Sequence, residues 1–180
     1  PCQRIAYTVV NKLTKTAFSE FAAVTQDAFA KEVLKALRTD AVTAMQQTLI
    51  GGEAYLKPVP EASRKGFSFV IVPRHNLLIF ARDVKGNPTD VGTMELSTAG
   101  NCYYTLLERR TVDARGYLTI RNRLFKSYAK DNLGQEVPLS SLPQYAQLQP
   151  EYTFTQPVGC IGMVRVKTPM VNCVDGSADG

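Results

Sequence analysis

Residues 102–125 read CYYTLLERRTVDARGYLTIRNRLF, and they settle what kind of chain this is. Cys102–Arg109 and Tyr117–Phe125 are both rich in aromatic and β-branched residues, the composition of strands. Between them Asp113-Ala114-Arg115-Gly116 reads as a type I turn closed by glycine, so the two strands form an antiparallel hairpin. Successive side chains of a strand point to opposite faces. One face of the second strand therefore carries Tyr117, Thr119, Arg121, Arg123 and Phe125. The other carries Leu118, Ile120, Asn122 and Leu124 and is the core side.

Working outward, further short strands are expected at Phe67–Val72, Leu77–Asp83, Val91–Ser97 and Gly159–Lys167. Turn clusters at Lys85-Gly86-Asn87-Pro88 and Ala99-Gly100-Asn101 separate several of them. Residues 53–66, with Pro58 and Pro60, read as a connector. Upstream the periodicity changes. From about Thr16 to Ile50 apolar residues recur at helical spacing, with Phe18, Phe21, Ala22, Ala28, Phe29, Val33, Ala36 and Leu37 on one face. Arg38-Thr39-Asp40 reads as a break with Thr39 capping a second helix, and Gly51-Gly52 as the stop. Arg4–Val10 reads as a short strand or apolar lead-in.

The expected fold class is α+β: an N-terminal helical segment, one long or two consecutive helices, followed by an antiparallel β-sheet or small β-barrel. The expected organisation is a strand plus helical segment over 1–52 and a β-rich domain over 53–167. That domain includes a proline-spaced loop over 131–157, and 168–180 forms a flexible tail. Hydrophobic residues make up 44% and charged residues 21% of the 180, enough for a sizeable core and against wholesale disorder. No apolar run approaches a membrane span, so the chain reads as soluble.

The hairpin also concentrates the charge. Residues 107–130 hold seven basic side chains against Glu108 and Asp113, a net of +5 that equals the net charge of the whole chain. Such a local field meets anions. Arginine offers phosphate a fixed fork of donors, and aromatic rings offer unpaired bases a stacking surface. The leading expectation is a non-enzymatic module for single-stranded nucleic acid, RNA favoured. Its surface would be Arg109, Arg110, Arg115, Tyr117, Arg121, Arg123, Phe125, Lys126 and Lys130. Against this stands the plainer reading that exposed strands carry arginine and lysine to deter edge pairing.

The alternative is an extracytoplasmic or assembly protein-interaction domain in which the arginine strand meets an acidic protein partner. Cys2, Cys102, Cys160 and Cys173 are even in number and far apart. They fit two disulfides or four buried thiols and leave the redox compartment and localisation open. Their spacing does not suit a compact zinc site, and no metal or cofactor motif occurs.

A remote third reading is a cysteine hydrolase. Cys160 lies among small residues in Val158-Gly159-Cys160-Ile161-Gly162, and His75, the sole histidine, would be its base, oriented by Asp83 or Asp90. The order His, Asp, Cys in a β-rich chain resembles the chymotrypsin-like viral cysteine proteases. The resemblance implies Cys160 as nucleophile, although Ile161 stands where that family has glycine and its second histidine is missing. Oligomeric state is not legible from the sequence.

Overall fold

The computed structural model describes residues 2–19, 22–60 and 67–167. The helices come first: α1 spans Cys2–Ser19 and α2 spans Ala28–Gly51. The strands follow as β1 (Glu53–Pro60), β2 (Phe67–Pro73), β3 (Leu77–Arg82), β4 (Pro88–Ala99) and β5 (Cys102–Val112). They continue as β6 (Leu118–Ser127), β7 (Gln135–Val137), β8 (Glu151–Thr153) and β9 (Val164–Lys167). All pairings are antiparallel and lie in two open sheets. The fold is thus α+β with the helices leading. The small-barrel alternative is corrected: among the described residues neither sheet closes on itself, each ending in strands with one paired neighbour. No helix among the described residues is long and apolar enough to cross a membrane. The chain divides into two compact units, Pro1–His75 with Met163–Gly180, and Asn76–Gly162.

In the first unit, Arg4–Val10 belongs to α1 rather than to a strand. The β-branched run was misleading because the helix draws its support from packing. Val10, Asn11, Thr14 and Phe18 fall on one side and are wholly or partly buried, and Gln46 Nε2 of α2 donates to Asn11 Oδ1 at 2.8 Å. The break expected at Arg38-Thr39-Asp40 is absent, and α2 runs straight through it. The interruption falls earlier, where the Asp27 carboxylate accepts from Ala30 N at 2.7 Å and caps α2. Nothing at 38–40 removes a backbone donor or frees the chain as proline or glycine would, so the helix continues. Gly52, at φ 79°, ends it, as a left-handed glycine commonly does.

Residues 53–60, expected as connector, form the central strand of the sheet β2-β1-β9. Ala54, Tyr55 and Leu56 are buried in its middle. β9 pairs only with Glu53–Leu56, so Pro58 and Pro60 lie where β1 has one paired neighbour, the place a sheet tolerates a missing donor. Glu53 is buried, and its carboxylate is held by Arg74 Nε at 2.9 Å and Arg165 Nε at 2.5 Å. The expected tail 168–180 lies outside the described residues.

The second unit is a meander, β3-β4-β5-β6, with β7 and β8 both alongside β6. Two of its hairpins use the same device. In Asp83–Asn87 and in Asp113–Tyr117 the aspartate carboxylate accepts from the backbone N–H two and four residues on, and Gly86 and Gly116 take positive φ. The Asn87 contacts hold the Asp83 carboxyl below its ordinary value.

The core side of β6 is as the alternation requires. Leu118, Asn122 and Leu124 are buried, while Arg121 and Arg123 are exposed. Residues 131–157 carry β7, two 3-10 turns and β8. Leu139, Leu142 and Tyr145 of those turns pack with Tyr104, Leu106 and Leu124 to close the core. Leu124 is fully buried. Leu124→Ala is therefore expected to cost about 2–5 kcal/mol, read as a lowered denaturant midpoint with an unchanged slope.

Tyr145 is buried and donates from Oη to Glu95 Oε1 at 2.7 Å. Burial first, with that bond to a carboxylate adding to it against an opposing contact from Gln144, pushes its phenol above the ordinary value. A raised folded value means the unfolded chain loses this proton first. The contribution to stability is therefore held below about pH 10 and lost as pH rises through the raised value. Tyr145→Phe is expected to flatten the alkaline limb of a stability–pH profile, and an unaltered limb would contradict the assignment.

Candidate interaction surface

Pairing fixes which side chains of the second sheet share a face, since cross-strand partners lie on the same side. Arg110, Glu108 and Leu106 face the core with Ile120, Asn122 and Leu124. Arg109 and Leu107 lie on the opposite face with Arg121, Arg123 and Phe125, and Thr105 shares that face but is buried. From β4 the outward set gains Asp90, Gly92, Met94 and Leu96, which stand opposite Thr111, Arg109, Leu107 and Thr105. From β3 it gains Leu78, opposite Gly92, and Phe80, whose ring lies over Gly92. A Cβ at Gly92 would come 3.0 Å from that ring, so the glycine gives the phenylalanine its seat.

The outward face is therefore divided. Toward β3 it is apolar: Leu78 is 65%, Phe80 56%, Met94 41% and Leu96 54% exposed. Toward β6 it is charged, and its arginines have carboxylate partners. Arg109 donates to Asp90 from Nε at 3.0 Å and Nη2 at 2.7 Å, with its guanidinium 5.0 Å from the centre of the Phe80 ring. Arg121 donates to Glu151 from Nε at 2.9 Å and Nη2 at 3.3 Å. That pairing holds Glu151 below the usual carboxylate range and raises Arg121, as Asp90 raises Arg109. Arg123 Nη1 stands 4.0 Å from Glu136.

The other residues expected at an anion site are scattered. Arg110 is buried on the core side, with Nε 2.7 Å from Glu108 Oε1 and Nη1 bonded to the carbonyls of Ile161 and Gly162. Arg115 is exposed in the hairpin turn, and half-buried Tyr117 follows it. Phe125 is half-buried on the outward face. Lys126 lies on the core side, its ammonium 5.9 Å from the Tyr104 ring and 5.6 Å from the Tyr128 ring. Lys130 is exposed beyond the strand. The structure thus brings Arg109, Arg121, Arg123 and Phe125 together and leaves the rest apart. The apolar strip of Leu78, Phe80, Met94 and Leu96 was not anticipated. In β4 the alternation of Met94 and Leu96 with Glu95 and Ser97 carries its signal, whereas Leu77-Leu78-Ile79-Phe80 has no alternation to read.

For the hydrolase reading, Cys160 is a free, exposed thiol in the second unit and His75 is exposed in the first. The carboxylates of Asp83 and Asp90 are engaged by Asn87 and by Arg109. Cys102 is a free thiol, half-buried. The side chains of Cys2 and Cys173 lie outside the described residues. Among the described residues no three His, Cys, Asp or Glu side chains gather as metal ligands would. The sequence matches no protein-family model and no curated protein.

Proposed function

We propose that this chain is a protein-binding module, and that it docks a protein partner on the outward face of the sheet β3-β4-β5-β6. The carrying observation is the cluster of Arg109, Phe80 and Asp90 beside exposed Leu78, Met94 and Leu96. An arginine already fixed by a carboxylate and an aromatic ring loses little freedom on binding, and aromatic, Met and Arg side chains are those that interfaces enrich. The contiguous apolar strip is the kind of exposed patch that marks a partner site. A polyanion would compete with Asp90, Glu151 and Glu136 for arginines they already engage, which disfavours the phosphate-binding alternative on this face. The partner is a folded protein surface, apolar at its centre and polar at its rim.

The test is site-specific photo-cross-linking. Benzoylphenylalanine at Met94 is expected to give a discrete adduct with a protein partner that Phe80→Glu abolishes, while the same group at Tyr7 on α1 gives none. Phe80→Glu gives up the ring's contacts with Gly92 and Arg109 and is expected to cost about 1 kcal/mol, small enough to leave the chain folded. Equal adducts from both positions, or an adduct indifferent to Phe80→Glu, would sink the reading.

Nucleic-acid binding is a second reading, and one observation favours it. Tyr128 is 78% exposed with Lys126 against its ring and Lys130 two residues on, a ring beside cations of the kind single strands use. Fluorescence anisotropy of a labelled 20-mer RNA or DNA decides it. Binding that falls steeply with salt and is lost in Lys126→Ala/Tyr128→Ala would favour it. Absence of binding at low salt would remove it.

A further inference from the structure

Strand β4 is twelve residues long, and its neighbours do not cover it equally. On one side β5 pairs with it from Asp90 to Ala99. On the other β3 pairs with it only as far as Thr93. Among the described residues Met94–Ala99 therefore forms a sheet edge, and all of these residues except Ser97 are exposed. Ala99 and Cys102 close a two-residue hairpin, and the closing pair of such a hairpin exchanges both of its backbone bonds. Alternating back from there, Ala99, Ser97 and Glu95 bond to β5. Thr98 and Leu96 turn their N–H and C=O groups outward, while those of Met94 turn toward Asn76 beside the last β3 pair, Leu77 with Thr93.

Edges of this kind are ordinarily blunted. β3 is: its pairing slips at Ile79–Arg82. The far side of β6 is covered by β7 and β8. The sequence 94–99, MELSTA, has no proline and no lysine, and its pairing with β5 shows no register shift. Its one charge, Glu95, lies on the core side, where it accepts from Tyr145 Oη; an inward charge of this kind resists an apolar or acidic strand and admits one that brings a basic residue opposite it. Unpaired backbone groups in an extended strand match another extended strand, and Met94 and Leu96 flank them with apolar surface continuous with Leu78 and Phe80.

Resting on the reading of this face as a docking surface, we propose that the partner contributes an extended segment that adds as a strand to the Met94–Ala99 edge. This is recognition by β-strand addition, with affinity from the main chain and selectivity from alternate side chains. The segment it fits has apolar residues on the side of Met94 and Leu96 and a basic residue opposite Glu95, since opposite charges across a strand pair favour register.

The probe is a fluorescein-labelled eight-residue peptide that alternates valine with threonine and carries one central lysine in place of threonine, titrated against the whole chain by anisotropy. Saturable binding is expected. Thr98→Pro removes a donor that faces the open edge and leaves the bonds to β5 in place, and it is expected to weaken binding about tenfold. N-methylating the peptide at alternate residues leaves the protein untouched. One of the two alternations is expected to lose binding and the other to keep it. Absence of saturable binding, indifference to Thr98→Pro in a folded variant, or tolerance of both methylation patterns would overturn strand addition. Phe80→Glu separates this from the docking face. Loss in Phe80→Glu alone keeps the face and overturns the strand, whereas loss in Thr98→Pro alone supports the strand and overturns the face.

Discussion

Glu108→Ala is expected to destabilise the protein by about 3–5 kcal/mol. Glu108 and Arg110 stand two residues apart on the core side of β5, both buried, with Nε 2.7 Å from Oε1. Taking a guanidinium out of water is costly, and the arrangement holds because the charge is matched and Nη1 finds carbonyl acceptors. Arg110 Nη1 reaches the carbonyl of Ile161 at 3.1 Å and that of Gly162 at 3.2 Å. Truncating Glu108 leaves those neutral acceptors facing an uncompensated cation. Replacing the pair together, as Glu108→Leu with Arg110→Met, removes both charges but leaves the Ile161 and Gly162 carbonyls without their donor, and is expected to cost about 1–3 kcal/mol, less than Glu108→Ala. A urea-denaturation double-mutant cycle reads the coupling. A loss below about 1 kcal/mol for Glu108→Ala alone would mean that Arg110 reaches water without its partner.

That pair also shows where the sequence stops being informative. Alternation within Tyr117–Phe125 was enough to put Leu118, Asn122 and Leu124 inside and Arg121 and Arg123 outside, because a period of two leaves one choice once a face is buried. In Cys102–Val112 the same rule sends Arg109 and Arg110 to opposite faces, and charge count alone treats them as equals. What neutralises the outward arginines comes from distant strands. Asp90 lies nineteen residues from Arg109, and Glu151 lies thirty from Arg121. A window of net charge sees neither carboxylate. β1 escaped for a different reason: Pro58 and Pro60 are breakers in a generic strand, and only the short reach of β9 makes them harmless here. The helical break was misplaced because Thr39 is a suitable cap residue in a stretch that needs no cap, while Asp27 performs that role.

The charge pattern bears on function through the same geometry. An unevenly basic window suggested a field that attracts polyanions. Once Asp90, Glu136 and Glu151 stand beside Arg109, Arg123 and Arg121, the outward face is locally balanced, and its distinguishing feature is the apolar strip. A balanced face with an apolar centre suits a protein surface better than a phosphate chain, since the latter is held by uncompensated cations.

Gly134→Ala is the second large effect expected. Gly134 joins β6 to β7 at φ 75°, where a side chain is already disfavoured. An added Cβ would also fall 2.0 Å from the carbonyl oxygen of Lys126 and 2.7 Å from its carbon. These are backbone atoms of β6, so no rotamer change relieves the overlap, and either the end of β6 or the start of β7 must move. β7 is three residues long and gives way first. Its departure strips Val137 from Leu124 and Glu136 from Phe125, and loosens the tether of the turns that bring Leu139, Leu142 and Tyr145 onto the core. The expected cost is about 2–4 kcal/mol. It should appear as a lower midpoint, accompanied by faster amide exchange at Gln135–Val137 than in β5. Should Gly134→Ala instead match the parent in both, the approach of this loop to Lys126 is not what holds β7 in place.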